Sequence, residues 1–347
     1  MLQSLLHQMK NDEDVSMNTM TQKQNRRKWI MVLLIVLAVL TVLVLTGTIL
    51  HATYFKAKKG RLEPYGEMVD VFDGHMHVFR TGSASKTVVL LPGLGVALPS
   101  ADFGPLMRSL SKEYTVVCVE YFGVGFSTQT SRERTCENYV EEIRAALSAA
   151  GFRAPYVLMP HSISSVYSEY YAAKYPDEVK AIISLDGTST AYIGEDMPGF
   201  VKSLLEIAKV QQLTGLASVV APLAVNKNAV LRYGYTEKEL SDLIVFAGFS
   251  INNNVLDQMR NTADCIRVTN ELCYPQNVPY FKVISRQTYE MKNRQIKMPP
   301  EEYQKEHLMR VGAQEHYAIL GGTHFIYQNN AEKIRSITDA FLASLES

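Results

Sequence analysis

The sequence predicts an α/β fold, with a mostly parallel sheet covered by helices on both faces, that follows one N-terminal transmembrane helix. Three observations support this prediction: apolar runs that alternate with helical patterns, an uncharged apolar segment near the N-terminus, and a largely helical insertion late in the chain. Parallel strands are continuously apolar because both of their faces are covered. The 347 residues carry 35 basic and 35 acidic side chains, so no basic excess indicates nucleic-acid binding.

An apolar segment divides the N-terminal part of the chain. Residues 1–28 form a polar tail, and residues 29–50 contain no charged side chain. A bilayer core of roughly 30 Å is crossed by about 20 helical residues. A buried globular helix is rarely apolar over such a length, and a cleaved signal peptide has an apolar core of only about 7–15 residues. We therefore expect an uncleaved, single-pass membrane anchor.

The orientation of this anchor is predicted from the basic residues beside it. Basic side chains flank both ends of the apolar segment, but the run Asn-Arg-Arg-Lys at 25–28 abuts it directly. Positive charge next to a membrane span favours the cytoplasmic side. We therefore expect a cytoplasmic tail and a globular domain on the extracytoplasmic side. Residues 51–66 have the composition of a juxtamembrane linker.

The globular part begins with a predicted β-hairpin, because residues 67–82 alternate polar and apolar around Asp73-Gly74. Apolar strands, several of which end in glycine-containing loops, then alternate with helical patterns. The strand stretches, several with the loop that ends them, are predicted at 87–95, 115–128, 155–162 and 179–187, and resume at 278–285 and 316–322. The helices between and after them are predicted at 103–111, 135–151, 163–175 and 330–345.

Residues 190–275 interrupt this alternation with a helical cap, while residues 67–189 and 276–347 form the core. Helices are predicted at 200–210 and 237–247. In an open α/β sheet the ligand binds beyond the carboxyl ends of the strands, so an insertion there is positioned to act as a lid. The cap contains the apolar stretches ASVVAPLAV and LIVFAGF. They indicate either an apolar substrate pocket or the internal packing faces of the cap helices.

Ser162 is the candidate nucleophile. It lies between the strand VLMP and a helical pattern, which is typical of a sharp strand-to-helix turn that exposes a reactive serine. Such a turn needs small neighbours; Ser164 meets this need, whereas Pro160 distorts the pattern. The alternative interpretation of Ser162 is a helix N-cap. Two backbone N–H groups are candidates to bind an oxyanion: Ile163 at the helix start and Leu94 in the loop Pro-Gly-Leu-Gly.

His324 is the candidate base, because it follows the last predicted strand in a glycine-rich loop and precedes the last helix. His316 lies within a strand and His161 is adjacent to the serine, so both are weaker candidates. The stretch Glu120–Ser127 contains Gly-x-Gly, but without a third glycine it does not match a dinucleotide-binding fingerprint.

In their order along the chain, the motifs LPGLG, E-x-x-G-x-G-x-S, H-S-x-S and a late G-x-H resemble those of the α/β-hydrolase superfamily over roughly residues 65–345. The similarity is closest to membrane-anchored bacterial hydrolases whose elbow reads Gly-His-Ser-Ile-Ser; this chain has Pro160 in place of the glycine and Pro92 where many relatives have histidine. The resemblance implies an eight-stranded sheet with the cap between strands six and seven. It also implies Ser162 as nucleophile, His324 as base, and Leu94 and Ile163 as oxyanion donors.

The third member of a catalytic triad is open at this point. The position usual for the acid, just after strand seven, has no aspartate, and none occurs from 281 to 324. Asp186 ends strand six, a position that some lipases use, and Glu290 follows strand seven as the alternative acid. The acid orients the imidazole and stabilises its protonated form.

These residues predict a serine hydrolase that cleaves an ester or a related acyl bond of a small-molecule or lipid-like substrate. It would need no metal or organic cofactor. A serine in the elbow argues against epoxide hydrolase and dehalogenase chemistry, whose relatives use aspartate there. The alternative from another class is an inactive hydrolase fold that serves as a membrane-tethered binding protein. The four cysteines have no metal-ligand spacing; Cys265 and Cys273 are either a disulfide pair or two free thiols.

Overall fold

A computed structural model describes residues 2–193, 199–292 and 298–346. The chain begins with one long helix, α1 (Leu2–Leu50), followed by a π-helical turn (His51–Phe55) and the short α2 (Lys56–Lys59). Within the described residues, one helical stretch, 25–59, is long and apolar enough to cross a membrane; its most apolar 18 residues have a mean hydropathy of 3.0 and are 6% buried. Residues 51–59, predicted as part of a linker, therefore continue the helix.

The described strands form one twisted sheet of eight, in the order β1-β2-β4-β3-β5-β6-β7-β8. Their bounds are β1 Glu67–Val71, β2 Gly74–Thr81, β3 Thr87–Leu91, β4 Thr115–Val119, β5 Tyr156–Pro160, β6 Val179–Leu185, β7 Tyr280–Ser285 and β8 Tyr317–Leu320. The pairs β1–β2 and β2–β4 are antiparallel, and the others are parallel. This arrangement confirms the predicted hairpin and the mostly parallel eight-stranded sheet.

Helices cover both faces of the sheet. Those of the core are α3 Pro99–Asp102, α4 Gly104–Leu110, α5 Cys136–Ala149, α6 Ser164–Lys174, α12 Arg286–Glu290, α13 Pro300–Arg310 and α14 Ala331–Ser344. Alternate residues of each parallel strand enter opposite cores: Val89 packs with α5 and α6, whereas Val88 packs with α4 and α14. This two-sided burial explains the continuously apolar strand sequences.

The cap lies between β6 and β7 and contains five described helices. They are α7 Gly199–Thr214, α8 Ala217–Ala224, α9 Lys227–Arg232, α10 Glu237–Ala247 and α11 Asn253–Glu271. Local signals fix two of their starts: Thr236 and Glu239 form a reciprocal capping box on α10, and Asn252 caps α11. Residues 194–198 of the predicted cap lie outside the described residues.

The elements of the core differ from the sequence prediction at two places. The helix predicted at 103–111 is divided into α3 and α4, with a break at Phe103. Two helices, α12 and α13, stand between β7 and β8, where none was predicted. Proline opens α13, and acidic residues fill its first turn, which are ordinary helix-start signals. Residues 293–297 of this connection lie outside the described residues.

Candidate active site

Ser162 occupies the sharp turn between β5 and α6. Its φ angle is +56°, in the left-handed region that residues with a Cβ atom rarely adopt. The loop after β3 closes against this turn: a Cβ atom at Gly93 would lie 2.5 Å from His161 Nδ1 and 2.9 Å from Ser162 Cβ. Ser164 Oγ donates a hydrogen bond of 2.5 Å to the carbonyl oxygen of Pro92. The predicted turn is therefore present, and it requires glycine at 93 because of the close approach.

Pro160 fits before this turn because the N–H group that it lacks is not needed for a strand-to-strand hydrogen bond. The N–H of His161 donates to the carbonyl oxygen of Leu91 in β3 at 2.9 Å. Because backbone groups alternate in direction along a strand, the nitrogen of Pro160 faces the other neighbour, β6. The continuous ladder between β5 and β6 ends at Leu158 and resumes only as an isolated bridge at His161. The missing N–H of the proline thus falls where the ladder is already interrupted.

A chain of hydrogen bonds joins Ser162, His324 and Asp186. His324 follows β8, as predicted, and its Nε2 lies 2.8 Å from Ser162 Oγ. The other ring nitrogen, Nδ1, lies 2.7 Å from Asp186 Oδ2. The three residues come from three different strand ends, and folding brings them to the same edge of the sheet. This is the relative arrangement of nucleophile, base and orienting acid.

Asp186 is held as a buried carboxylate. Its Oδ1 accepts the N–H of Ser285 at 2.7 Å, and its Oδ2 accepts the hydroxyls of Ser285 at 2.9 Å and Thr288 at 2.6 Å. Burial raises the pKa of Asp186, but the hydrogen bonds from His324, Thr288 and the Ser285 N–H outweigh burial, so the net pKa lies below its ordinary value. The side chain therefore carries a negative charge at neutral pH.

Glu290, the alternative acid, makes no hydrogen bond to His324 in the described part of the chain, where the ring nitrogens of His324 pair with Ser162 and Asp186. Its carboxylate accepts a hydrogen bond of 3.1 Å from Arg286 on the exposed surface of α12. A helix that starts directly after β7 turns Glu290 outward, and this helix was not predicted. Of the two candidates, the structure therefore brings only Asp186 to the imidazole.

Three polar residues that sequence reasoning did not single out support the site. Ser285 and Thr288 hold the carboxylate of Asp186, and Gln287 Oε1 accepts the N–H of His324 at 3.0 Å. All three lie on the short segment Ser285-Arg-Gln-Thr, which begins with the last residue of β7. The signal that was available is the position of this polar run at the carboxyl end of a buried strand.

The N–H groups of Leu94 and Ile163 face no internal acceptor. Neither donates a hydrogen bond to any other described residue, although the neighbouring N–H groups of Ser162 and Ser164 do. Ile163 stands at the start of α6, where backbone N–H groups and the helix dipole favour negative charge. Among the described residues, neither N–H group is therefore used in the internal hydrogen bonding of the fold.

His161 packs behind the imidazole of His324, with ring centroids 4.8 Å apart. Burial, and secondarily the proximity of His324, lowers the pKa of His161 to about 3, so the ring is neutral. Its Nε2 therefore carries the proton and donates to the carbonyl oxygen of His324 at 3.0 Å. Its Nδ1 has no hydrogen-bond partner within the described part of the chain. His161 thus supports the loop that carries His324.

A cavity of about 160 Å³ adjoins the imidazole on the side of the acid. Its lining includes His324 and Thr288 together with Met291, Met298 and Tyr303. Its walls are mostly apolar. No group of three or more His, Cys, Asp or Glu side chains among residues 2–193, 199–292 and 298–346 is arranged to hold a metal ion.

The cysteines do not support a Cys265–Cys273 disulfide. All four lie within the described residues, and all are free thiols; Cys265 is buried and Cys273 is exposed. Cys265 lies on α11 and packs in the hydrophobic core, whereas Cys273 follows the end of that helix.

Comparisons with known proteins agree with this architecture. The sequence model of a family described as the alpha/beta hydrolase fold matches residues 86–232. The uncharacterized protein YbdG of Bacillus subtilis is 32% identical over 228 residues, which cover 64% of this chain and 70% of that protein. Potato epoxide hydrolase I superposes with a TM-score of 0.60 at 18% identity, covering 80% of this chain and 98% of that one. The chain belongs to the α/β-hydrolase fold family.

A relative with a named reaction is similar over a shorter stretch. The 2-(acetamidomethylene)succinate hydrolase of Mesorhizobium japonicum is 34% identical over 94 residues, which cover 27% of this chain and 34% of that protein. The family therefore includes hydrolases that match part of this chain. The structural neighbours, at such low identity, show the fold alone.

Proposed function

We propose that this protein is a serine hydrolase that cleaves a carboxylic ester or a related acyl bond through an acyl-enzyme. One observation carries the proposal: the continuous hydrogen-bonded chain Ser162 Oγ–His324 Nε2 at 2.8 Å and His324 Nδ1–Asp186 Oδ2 at 2.7 Å. The proposal assigns Ser162 as nucleophile, His324 as general base and Asp186 as the orienting acid.

In the acylation step, the Oγ of Ser162 attacks the carbonyl carbon of the substrate while its proton passes to His324 Nε2. The carbonyl oxygen becomes an anion and accepts hydrogen bonds from the N–H groups of Leu94 and Ile163. The charge of Asp186 stabilises the imidazolium through the bond to Nδ1. The tetrahedral intermediate collapses, and His324 returns its proton to the leaving alcohol.

In the deacylation step, a water molecule replaces the alcohol. His324 removes a proton from this water, whose oxygen attacks the acyl carbon, and the same two N–H groups bind the second oxyanion. Collapse of this intermediate releases the carboxylic acid and returns the proton to Ser162. The proposed steps use no metal ion or organic cofactor.

The proposed substrates are small-molecule or lipid-like acyl compounds. A cavity with an apolar wall beside His324 supports an apolar substituent on the substrate. A panel of p-nitrophenyl esters of increasing chain length tests this point. We expect the ratio kcat/KM to rise with chain length up to the capacity of the pocket, whereas a preference for acetate would exclude the lipid-like class.

A fluorophosphonate probe tests the nucleophile, because it reacts covalently with an activated serine. We expect labelling of the full-length protein that is lost in Ser162→Ala and retained in the matched control Ser148→Ala, which changes an exposed serine on α5. Persistent labelling of Ser162→Ala would disprove the assignment. A correctly folded protein that the probe never labels would instead support a membrane-tethered binding protein.

We further propose that residues 29–50 span the membrane, with residues 1–28 in the cytoplasm. The core (67–189 and 276–347) and the cap (190–275) then lie on the extracytoplasmic side. The apolar length of the helical stretch 25–59 supports a span. Cys273 provides a native reporter because its side chain is exposed. A membrane-impermeant maleimide should label the wild type in intact cells but not Cys273→Ser; labelling only after permeabilisation would reverse the orientation.

A further inference from the structure

The cap contacts the end of the long N-terminal helix. A Cβ atom at Gly47 would lie 3.2 Å from Leu216 Cδ2 and 3.8 Å from Val219 Cγ2, at the start of α8. One turn further along, His51 Nδ1 lies 2.8 Å from Ser218 Oγ. The His51 ring also stacks on Phe249 with centroids 4.4 Å apart. Helix α8 therefore has a defined position relative to the anchor.

This contact lies near one end of the apolar segment. With a rise of about 1.5 Å per residue, position 47 lies about 27 Å from position 29 and only about 5 Å from position 50 along the helix axis. A hydrocarbon core is roughly 30 Å thick. If the segment spans a bilayer, α8 lies at the membrane surface.

The cap helices nearest this level expose large apolar side chains. On α7, Ile207 is 65% exposed and Leu213 is 79% exposed; on α8, Val220 is 55% exposed and Leu223 is 83% exposed. The stretch ASVVAPLAV is therefore neither a closed substrate pocket nor simply an internal packing face. An exposed apolar patch of this kind marks a surface that binds a partner or a membrane.

Positive charge accompanies this apolar surface. Lys58 of the anchor end and Lys227 of α9 line a common cavity of about 400 Å³, together with Pro222 of α8 and one carboxylate, Glu237. Lysines at the level of the lipid headgroups are attracted to anionic lipids. The combination of exposed apolar side chains and adjacent lysines is typical of helices that lie in the membrane interface.

We propose that the outer face of α7 and α8 docks into the lipid bilayer in the leaflet where α1 emerges. This cap docking face consists of Leu204, Ile207, Val210, Leu213, Val220 and Leu223. The proposal rests on the membrane span proposed above and is independent of the catalytic assignment. The bilayer is the favoured occupant because the face adjoins the apolar segment 29–50, most of whose large apolar side chains are themselves exposed.

Site-specific fluorescence tests the docking in liposomes of phosphatidylcholine and phosphatidylglycerol. The full-length protein, in a Cys273→Ser background, carries one new thiol, Leu213→Cys or Leu223→Cys, labelled with an environment-sensitive nitrobenzoxadiazole dye. Arg153→Cys is the matched control, because Arg153 is exposed and precedes β5 at the opposite, amino end of the strands. We expect emission at shorter wavelength and quenching by spin-labelled lipid at 213 and 223, but not at 153.

Emission typical of water and no lipid quenching at 213 and 223 would overturn the proposal. A wavelength shift that grows with the protein-to-lipid ratio but is not accompanied by lipid quenching would also overturn the proposal. That result would identify a second copy of the chain as the occupant of the face. Extraction at alkaline pH separates failure of docking from failure of the span. Protein that stays in the membrane while both labels remain solvent-exposed refutes docking alone, whereas released protein refutes the span.

Discussion

At the scale of single residues, the backbone of the candidate site is strained. Ser162 and Asp186 have φ angles of +56° and +49°, although neither is glycine. Such conformations cost roughly 1–3 kcal/mol each and cluster at functional sites, where the surrounding structure holds them. Here the strain projects both side chains from strand ends toward His324, and the close approach of Gly93 holds the serine turn from the other side.

The acid assignment predicts a large kinetic effect of one substitution. In Asp186→Asn the residue loses the charge that stabilises the imidazolium, and we expect kcat to fall by roughly 10³–10⁴-fold with little change in KM. Glu290→Gln is the control, because Glu290 is exposed and paired with Arg286 on the surface of α12. Ester hydrolysis measured on both variants decides the assignment; full activity of Asp186→Asn would remove Asp186 from the triad.

The neutral state of His161 predicts a pH dependence of stability. Its pKa is about 3 in the folded protein and 6.5 as the ordinary value, so between these pH values the unfolded chain binds the additional proton. The free energy of unfolding should therefore decrease as pH falls from 6.5 toward 3, by up to about 1.4 kcal/mol per pH unit from this residue.

His161→Gln keeps a side-chain donor but cannot titrate. Thermal unfolding of the detergent-solubilised protein between pH 4 and 7 should show a shallower decrease of the melting temperature in this variant. Equal pH slopes for the wild type and the variant would mean that His161 does not carry the effect.

At the scale of elements, a buried polar network joins α6, the helix that follows Ser162, to α13 and β7. Glu169 of α6 accepts a hydrogen bond from His307 Nε2 of α13 at 2.9 Å, and His307 Nδ1 lies 2.6 Å from Lys282 Nζ of β7. Burial lowers the pKa of Lys282 to about 8. Removing one partner from such a buried group typically costs about 3–5 kcal/mol, so the network fixes how α6 and α13 pack.

The loop after β3 predicts a second kinetic effect. In Gly93→Ala the added Cβ atom would meet His161 Nδ1 and Ser162 Cβ, so the loop must move away from the serine turn and carry the N–H of Leu94 with it. We expect kcat/KM to fall by roughly 10²-fold, because small displacements in a reacting geometry have effects of that size.

Gly321→Ala is the matched control, since a Cβ atom there meets nothing within 4 Å and its φ angle is not in the left-handed region. Circular dichroism of both variants separates loss of fold from loss of geometry. Unchanged ester hydrolysis by Gly93→Ala would exclude the loop from oxyanion binding.

At the scale of the whole molecule, α11 connects the cap to the core. Asn254 exchanges hydrogen bonds with the backbone of Thr130, at 3.0 and 2.9 Å. Arg310 of α13 donates to the carbonyl oxygens of Thr269 and Leu272 at 2.7 and 2.8 Å. These contacts hold one end of the cap, whereas α7 and α8, near the anchor, keep apolar side chains exposed.

The distribution of thiols in this architecture predicts one reactive cysteine. Cys273 is exposed, whereas Cys118, Cys136 and Cys265 are buried, and burial raises the pKa of both Cys118 and Cys136. A thiolate-selective disulfide reagent should titrate one thiol rapidly in the native protein and all four after denaturation. If no thiol reacts rapidly in the native protein and only two react after denaturation, the result would instead indicate a Cys265–Cys273 disulfide.

Local patterns explain which elements were predictable. The strand runs, the Asp73-Gly74 hairpin and α10 all have signals within a few residues, and the structure places them where these signals occur. The short α12 has no such apolar periodicity, because it lies on the surface. Its absence from the prediction left Glu290 as a plausible acid, and its presence turns that side chain away from His324.

The sequence by itself determined the fold class, the apolar length of the anchor, the position of the cap, and Ser162 and His324 as candidates, because strand periodicity and glycine-rich turns are local properties. Tertiary structure decided which acid reaches the imidazole, how Pro160 fits beside β6, and which apolar cap residues remain exposed. These outcomes depend on how separate elements pack against one another, as when Asp186 and His324 meet across 138 positions of sequence, and no local pattern encodes such packing.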